Sequence, residues 1–303
     1  DPSEGAKIIF KEDGTVDILV GTQSNGQGHE TVFAQFLSDQ TGLPVDLITV
    51  VQGDSDLIIK GGGTGGSRSA TTQNNATLVA VEAMIEAFKM YLSEKFEIAL
   101  GDVEFDDETF RIIGSNLSPS ILECVKMARS EGRDDLLAHE ARAELDAKSY
   151  PNGAHIAEVE IDPETGDITL ERYSVVDDFG NLFNPMLVEG QVHGGVVQGI
   201  GQAISEQVVY DENGQLLTAT FMDYGMPRAK DIPFISFATE PVPSTANSMG
   251  VKGCGEAGTV GALAAVANAV QDALWEYGVK QVDMPFTPLR VWKMLQNSQF
   301  FDK

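Results

Sequence analysis

Four glycine-rich segments, each running into a stretch with helical spacing, constrain this chain more than any other feature. They are Asn25-Gly-Gln-Gly-His29, the run from Gly61 to Ser69, Glu189-Gly-Gln-Val-His-Gly-Gly195 and Lys252-Gly-Cys-Gly-Glu-Ala-Gly258. Glycine lets backbone N–H groups approach a ligand closely, and a helix start adds unsatisfied donors with positive partial charge. Several such ends in one chain point to a surface that holds an extended, anionic, hydrogen-bonding ligand. That describes a cofactor site better than a metal cage.

Composition narrows the class. The formal net charge is -26, from 46 acidic against 20 basic residues, and no basic run exists to neutralise phosphates, which excludes nucleic-acid binding. A bound phosphate must therefore rely on backbone donors and isolated cations such as Arg68. Two cysteines, Cys124 and Cys254, are too few for a disulfide framework or a structural zinc site, and four scattered histidines form no His-x-x-x-His pair. No protein metal ligands are expected. No apolar run approaches membrane-spanning length, so no membrane association is expected and the cytoplasm is the expected compartment. The chain begins Asp1-Pro-Ser without an initiator methionine, as a processed subunit or an excised fragment would.

Periodicity gives an α+β protein. Lys7–Phe10 and Val16–Val20 flank Asp13-Gly14, a strong hairpin signal, and Val32, Phe33, Phe36 and Leu37 then show helical spacing up to Gly42 and Pro44. A strand over Val45–Val51 follows. After the loop to Ser69, Leu78, Val81, Ile85, Phe88 and Leu92 line one face of a long helix. Residues 101–148 are charged and read as a peripheral linker region, with a hairpin over Glu104–Ile113 and a short helix over Ile121–Met127. The opening device then recurs. His155–Ile161 and Ile168–Val176 flank a turn at Pro163–Gly166, and a helix starts near Pro185. A hairpin at Asn213-Gly214 joins Val208–Tyr210 to Leu216–Phe221. Ile235–Thr239 is a candidate strand, and Val260 to Leu274 a last long helix. The expected architecture is two similar subdomains of antiparallel or mixed sheet with long helices packed on them, residues 1–148 and 149–303.

Each motif has two readings. Gly61-x-Gly63-x-x-Gly66 and Gly253-x-Gly255-x-x-Gly258 satisfy the dinucleotide fingerprint in letters but lack a clear preceding strand. The string Thr64-Gly65-Gly66-Ser67-Arg68-Ser69 gathers hydroxyls, amides and a guanidinium at a helix start. It suits a phosphate or polar heterocycle; equally, Ser67 or Ser69 caps the helix and Arg68 is solvated. Gln27 (between Gly26 and Gly28) and Gln191 offer donor and acceptor together, for a cofactor edge or for an ordinary loop hydrogen bond. His29 and His193 read as structural. Glu256, just before an apolar helix, is either a general base kept anionic by the helix end or a simple cap. Cys254 is either an activated thiolate or a buried thiol.

Taken together and in order, these segments resemble the C-terminal molybdenum-cofactor-binding region of the xanthine dehydrogenase, aldehyde oxidase and aerobic carbon monoxide dehydrogenase large subunits. The resemblance rests on Asn25-Gly-Gln-Gly28, Gly63-Thr-Gly-Gly-Ser-Arg-Ser69, Asn184-Pro185 with Glu189 to Gly199, Tyr224-Gly-Met-Pro227 and Gly250 to Gly258. It implies a molybdenum hydroxylase that inserts water-derived oxygen into an aldehyde or N-heterocycle, or oxidises carbon monoxide. On this resemblance Glu256 is the catalytic base. Gly26, Gln27, Gly28 and Gln191 hold the cofactor, and Thr64, Gly65, Gly66, Ser67, Arg68 and Ser69 hold its pterin and phosphate end. The implied cofactor is molybdopterin, in its cytosine dinucleotide form, carrying molybdenum. The implied partners are the N-terminal half of the molybdenum subunit, an iron–sulfur subunit and a flavin subunit bearing FAD, in a hetero-oligomer. The chain alone is then expected to be inactive. A non-catalytic scaffold that keeps the loops, and a nucleotide-binding protein using Gly61 to Gly66, are the alternatives.

Overall fold

Along Ser3–Phe10 (β1) every second side chain is buried, so that Glu4, Ala6, Ile8 and Phe10 form the inward face. The computed structural model, which describes residues 2–106 and 108–298, pairs β1 antiparallel with Val16–Val20 (β2). The turn between them uses Asp13, whose carboxylate accepts the Thr15 N–H and hydroxyl, and Gly14 at φ 89°. The chain divides into two units, Asp1–Tyr150 with Pro243–Gly253, and Pro151–Val242 with Cys254–Lys303.

In the first unit, β2 leads into His29–Thr41 (α1), then Ile48–Val51 (β3), which lies parallel to β2, and then the long helix Ser69–Phe96 (α2). The strand expected over Val45–Val51 starts late. Pro44 opens a short 3-10 turn over Val45–Leu47, closed by the Leu47 N–H on the Pro44 carbonyl. Val103–Phe105 (β4) and Phe110–Ile112 (β5) pair antiparallel, and Asp107, within the expected Glu104–Ile113 hairpin, lies outside the described residues. Ile121–Ser130 (α3) starts on a capping box, with Ser120 and Glu123 each satisfying the other's backbone N–H. Ala138–Glu144 (β6) then joins β1, giving the sheet order β3-β2-β1-β6. Residues 101–148 are therefore not a peripheral linker. Val103, Phe110, Ile121, Cys124, Val125, Ala128 and Leu136 belong to the core that α2 shares with the sheet. The strand hid because its inward side chains are His139, Ala141 and Ala143, too small or polar to read as apolar alternation.

The second unit opens with Asn152–Ile161 (β7) and Ile168–Asp178 (β8), antiparallel, with an irregularity at Glu158/Val159. Pro185–Ile204 (α4) follows, started by Asn184, which accepts the Leu187 N–H, and by Pro185 in the first turn. Ile235–Thr239 (β9) lies parallel to β8, and Ala257–Trp275 (α5) packs on α4 and β7. The order hairpin, helix, parallel strand, helix thus occurs in both units, as β1β2α1β3α2 and β7β8α4β9α5. Helices α4 and α5 approach closely because glycines face each other, and a Cβ built on Gly258 would lie 2.5 Å from the Val192 carbonyl oxygen. The structure departs from the sequence expectations here in two places. The Val208–Phe221 hairpin is reduced to one bridge between Tyr210 and Leu216. Pro288–Gln296 (α6), not anticipated, buries Val291 and Leu295.

Candidate cofactor and active site

The glycine loop before α2 is built on a charge that the sequence reading overlooked. Glu4 is wholly buried on β1, and its carboxylate accepts the N–H groups of Gly5 (3.1 Å) and Gly62 (2.9 Å) and the Arg68 guanidinium (3.2 Å). Arg68 also donates to the carbonyls of Gly63 (2.8 Å) and Ser3 (2.7 Å). Its guanidinium is thus turned toward the protein, not outward to an anion. The alternation of β1 predicts an inward side chain at Glu4, but the residue type hides it among surface acids.

This anchor holds the loops after β2 and before α2 together. The Gly63 N–H donates to the Gly21 carbonyl (3.1 Å), and the Thr64 hydroxyl donates to the Gln23 carbonyl (2.6 Å) while accepting from the Gln23 N–H and the Ser69 hydroxyl. Neither Ser67 nor Ser69 caps α2: the cap position is Arg68, whose side chain makes no capping bond. Ser67 is held at φ 54°, a left-handed conformation unusual for a non-glycine residue and of the kind that collects at functional sites. Gly63, Gly65 and Gly66 face open space, where an added Cβ would meet nothing within 4 Å. In the neighbouring loop Gln27 accepts the Asn25 N–H, with Gly26 and Gly28 at φ 107° and 80°. His29, at the start of α1, is buried against Phe33 and burial lowers its pKa, so it is structural. No strand precedes Gly61 or Gly253, which removes the context a dinucleotide fingerprint needs.

Gly253 belongs to this first unit and packs against the Ser67 carbonyl so closely that a Cβ would lie 1.7 Å from its oxygen. Gly253→Ala is expected to cost roughly 1–3 kcal/mol by overpacking. A lowered urea midpoint at unchanged slope would show it.

In the second unit Gln191 and Glu256 come together. The Gln191 amide, on α4, donates to the Gly255 carbonyl at 2.7 Å, next in sequence to Glu256. Glu256 occupies the cap position of α5, yet its side chain makes no capping bond, and it is exposed. The Thr259 hydroxyl ties the first turn of α5 to the Gly195 carbonyl of α4 at 3.0 Å. Burial raises the Cys254 thiol to about 11, with Asp177 adding to the shift, and lifts Cys124 to about 12. Neither is an activated thiolate. We expect both thiols to resist a disulfide reagent at pH 8 until the chain unfolds. Because the unfolded thiols ionise near 9 and the folded ones do not, stability should fall as pH rises from 9 toward 11. A denaturation series across that range measures it. His193 packs edge-on against Phe234 and Phe237.

Among the described residues no group of three or more His, Cys, Asp or Glu side chains is placed to hold a metal ion. The first unit offers open glycine loops and amides, and the second offers Gln191 beside Glu256, an exposed carboxylate at the start of α5. Such loops are the kind that suit a polar organic cofactor, and the comparisons agree on the class. The family model for the molybdopterin cofactor-binding domain matches residues 1–233, and the chain belongs to that family. It is 34% identical over 295 residues to the carbon monoxide dehydrogenase large chain of Afipia carboxidovorans, covering 96% of this chain and 36% of that one. It is 35% identical over 289 residues to the 6-hydroxypseudooxynicotine dehydrogenase complex subunit gamma of Paenarthrobacter nicotinovorans, covering 93% and 36%. The crystal structure of a Cu,Mo-CO dehydrogenase in its carbon monoxide reduced state superposes with a TM-score of 0.86 at 34% identity, over 96% of this chain and 37% of that one. The chain thus spans little more than a third of the length of these relatives.

Proposed function

We propose that this chain is the cofactor-binding part of a molybdenum hydroxylase, with Glu256 as the base that accepts a proton when oxygen is delivered to substrate. The observation that carries the reading is Glu256 itself, a carboxylate at the start of an apolar helix that does not cap that helix. When bound, the molybdenum-carrying pterin supplies the oxygen-transfer and two-electron chemistry. The residues present suit such a group. Gly65, Gly66 and Ser67 form an open cradle of backbone and hydroxyl beside Thr64 and Ser69. Gly26, Gln27 and Gly28 offer amide hydrogen-bonding groups in the neighbouring loop. A metal carried by its own pterin ligand asks for no protein cluster. Arg68 contributes by holding the cradle's shape through Glu4, and Gln191 by fixing Gly255, the residue before Glu256.

The substrate is an aldehyde, an N-heterocycle or carbon monoxide. Two relatives are a carbon monoxide dehydrogenase chain and a subunit of a 6-hydroxypseudooxynicotine dehydrogenase complex. The words large chain and complex subunit gamma in those names support partner chains, which on the resemblance above are the remainder of the molybdenum subunit, an iron–sulfur subunit and a flavin subunit. Exposed Phe221, Met222 and Phe234 in the second unit are apolar surface for the first of these. Among the described residues no helix is long and apolar enough to cross a membrane, and two unpaired cysteines fit the reducing cytoplasm.

The cofactor form is the cytosine dinucleotide, whose extra phosphate and nucleotide engage the glycine loops. Metal analysis of the purified assembly should find molybdenum, and acid hydrolysis should release CMP in equal amount. Molybdenum without CMP would leave the simple molybdopterin form; no molybdenum would remove the reading.

A further inference from the structure

Beneath α5 lies a buried polar array that the proposed chemistry does not use. His155 on β7 sits between Tyr173 and Asp177 on β8, with Nδ1 2.7 Å from the Tyr173 hydroxyl and Nε2 3.3 Å from Asp177 Oδ1. The His155 and Asp177 side chains are 7% and 3% exposed, and Tyr173 is 1% exposed. An ionised carboxylate only accepts, so Nε2 carries the hydrogen toward Asp177, and a neutral ring takes the Tyr173 O–H at Nδ1. The second oxygen of Asp177 has no hydrogen-bond partner among the described residues. Such a buried array is costly unless its partners are held in place, so it fixes whatever encloses it.

Two glycines enclose it. A Cβ on Gly153 of β7 would lie 1.8 Å from Asp177 Oδ1, and a Cβ on Gly261 would lie 2.5 Å from three atoms of the His155 ring. Gly261 is in the second turn of α5, the helix that Glu256 begins. The imidazole edge therefore acts as a stop that sets how closely the start of α5 approaches β7. Asp177 also acts electrostatically on Cys254, the residue two before Glu256. From the other side, Gln191 holds the Gly255 carbonyl.

We infer that the Tyr173–His155–Asp177 array is a positioning device for Glu256: it seats the first turns of α5 so that the Cys254–Glu256 turn is presented in one place. The inference rests on the reading of Glu256 as the base. In the assembled enzyme, His155→Phe keeps the ring's bulk and leaves Tyr173 and Asp177 without their partner. His155→Gln keeps both bonds, since its amide oxygen accepts from Tyr173 and its amide nitrogen donates to Asp177. Gly261→Ala drives a methyl into the imidazole and serves if His155→Phe does not fold.

Amide hydrogen exchange over residues 254–262 should quicken about tenfold in His155→Phe and Gly261→Ala but not in His155→Gln, while β1 and β2 stay protected. Turnover number should fall in the same two variants, with KM and molybdenum content unchanged. Folded variants that exchange at the parental rate over 254–262 overturn the inference. So does faster exchange with unchanged turnover, provided Glu256→Gln is itself inactive. If Glu256→Gln remains active, the assignment of the base fails instead, and the exchange data still report on the seat of α5.

Discussion

Replacing Glu256 by glutamine should abolish turnover of the assembled enzyme while leaving its molybdenum and pterin content intact. Positioned general bases contribute about 10²–10⁴-fold to rate, and a neutral amide of the same shape can take no proton. Glu256 suits the task physically. Its carboxylate makes no capping bond at the start of α5, so it is not committed to closing the helix. Glutamine removes no capping bond from α5, and circular dichroism of the variant checks that the helix is kept, so that a change of rate can be read as chemistry. The measurement is steady-state turnover beside metal and pterin analysis on one preparation. A scaffold that keeps the loops without chemistry would show near-normal activity after the exchange. Loss of molybdenum instead of rate would place Glu256 among the groups that retain the cofactor.

How much of this was legible in the sequence depends on whether a residue's role is local. The Asp13-Gly14 hairpin, α2, α4 and α5 are written in turn chemistry and in a period of 3.6, and all four are present. The repeated order of hairpin, helix and strand could be suspected, but the parallel pairing of β3 on β2 and of β9 on β8 is a long-range property. Strand β6 escaped notice because histidine and two alanines face the core where valines would have announced a strand. Glu256 stood out because glycine and alanine flank it. The sequence could not say whether it caps α5; only its rotamer decides that. Arg68 illustrates the opposite failure. An arginine in a glycine loop reads as an anion ligand, yet two of its acceptors, Glu4 and the Ser3 carbonyl, lie on β1, more than sixty residues away in sequence. His155, Tyr173 and Asp177 are adjacent only through the diagonal register of β7 and β8, which no local pattern displays.

The burial of Glu4 gives the largest stability effect expected in the chain. Glu4→Ala removes the carboxylate paired with a guanidinium that is itself only 14% exposed, and strands the N–H of Gly62 as well. Breaking a buried pair by deleting one partner costs about 3–5 kcal/mol, because the remaining charge is left in a low-dielectric site. Domains have net stabilities of only about 5–15 kcal/mol, so the first unit should be near its limit. Glutamine is no remedy. Glu4 accepts from Gly5 on one oxygen and from Gly62 and Arg68 on the other, and an amide nitrogen would meet a donor at either place. Arg68→Ala should cost a similar amount, and the double variant clearly less than the sum, since no uncompensated charge remains. Urea denaturation of the four proteins measures the coupling. Strict additivity would mean that Glu4 and Arg68 stabilise the chain independently. The same pair fixes Gly62 and Gly63, so the single variants that still fold should release the cofactor. The loop carrying Thr64, Ser67 and Ser69 would then lose the shape that its glycines only permit and that the buried pair enforces.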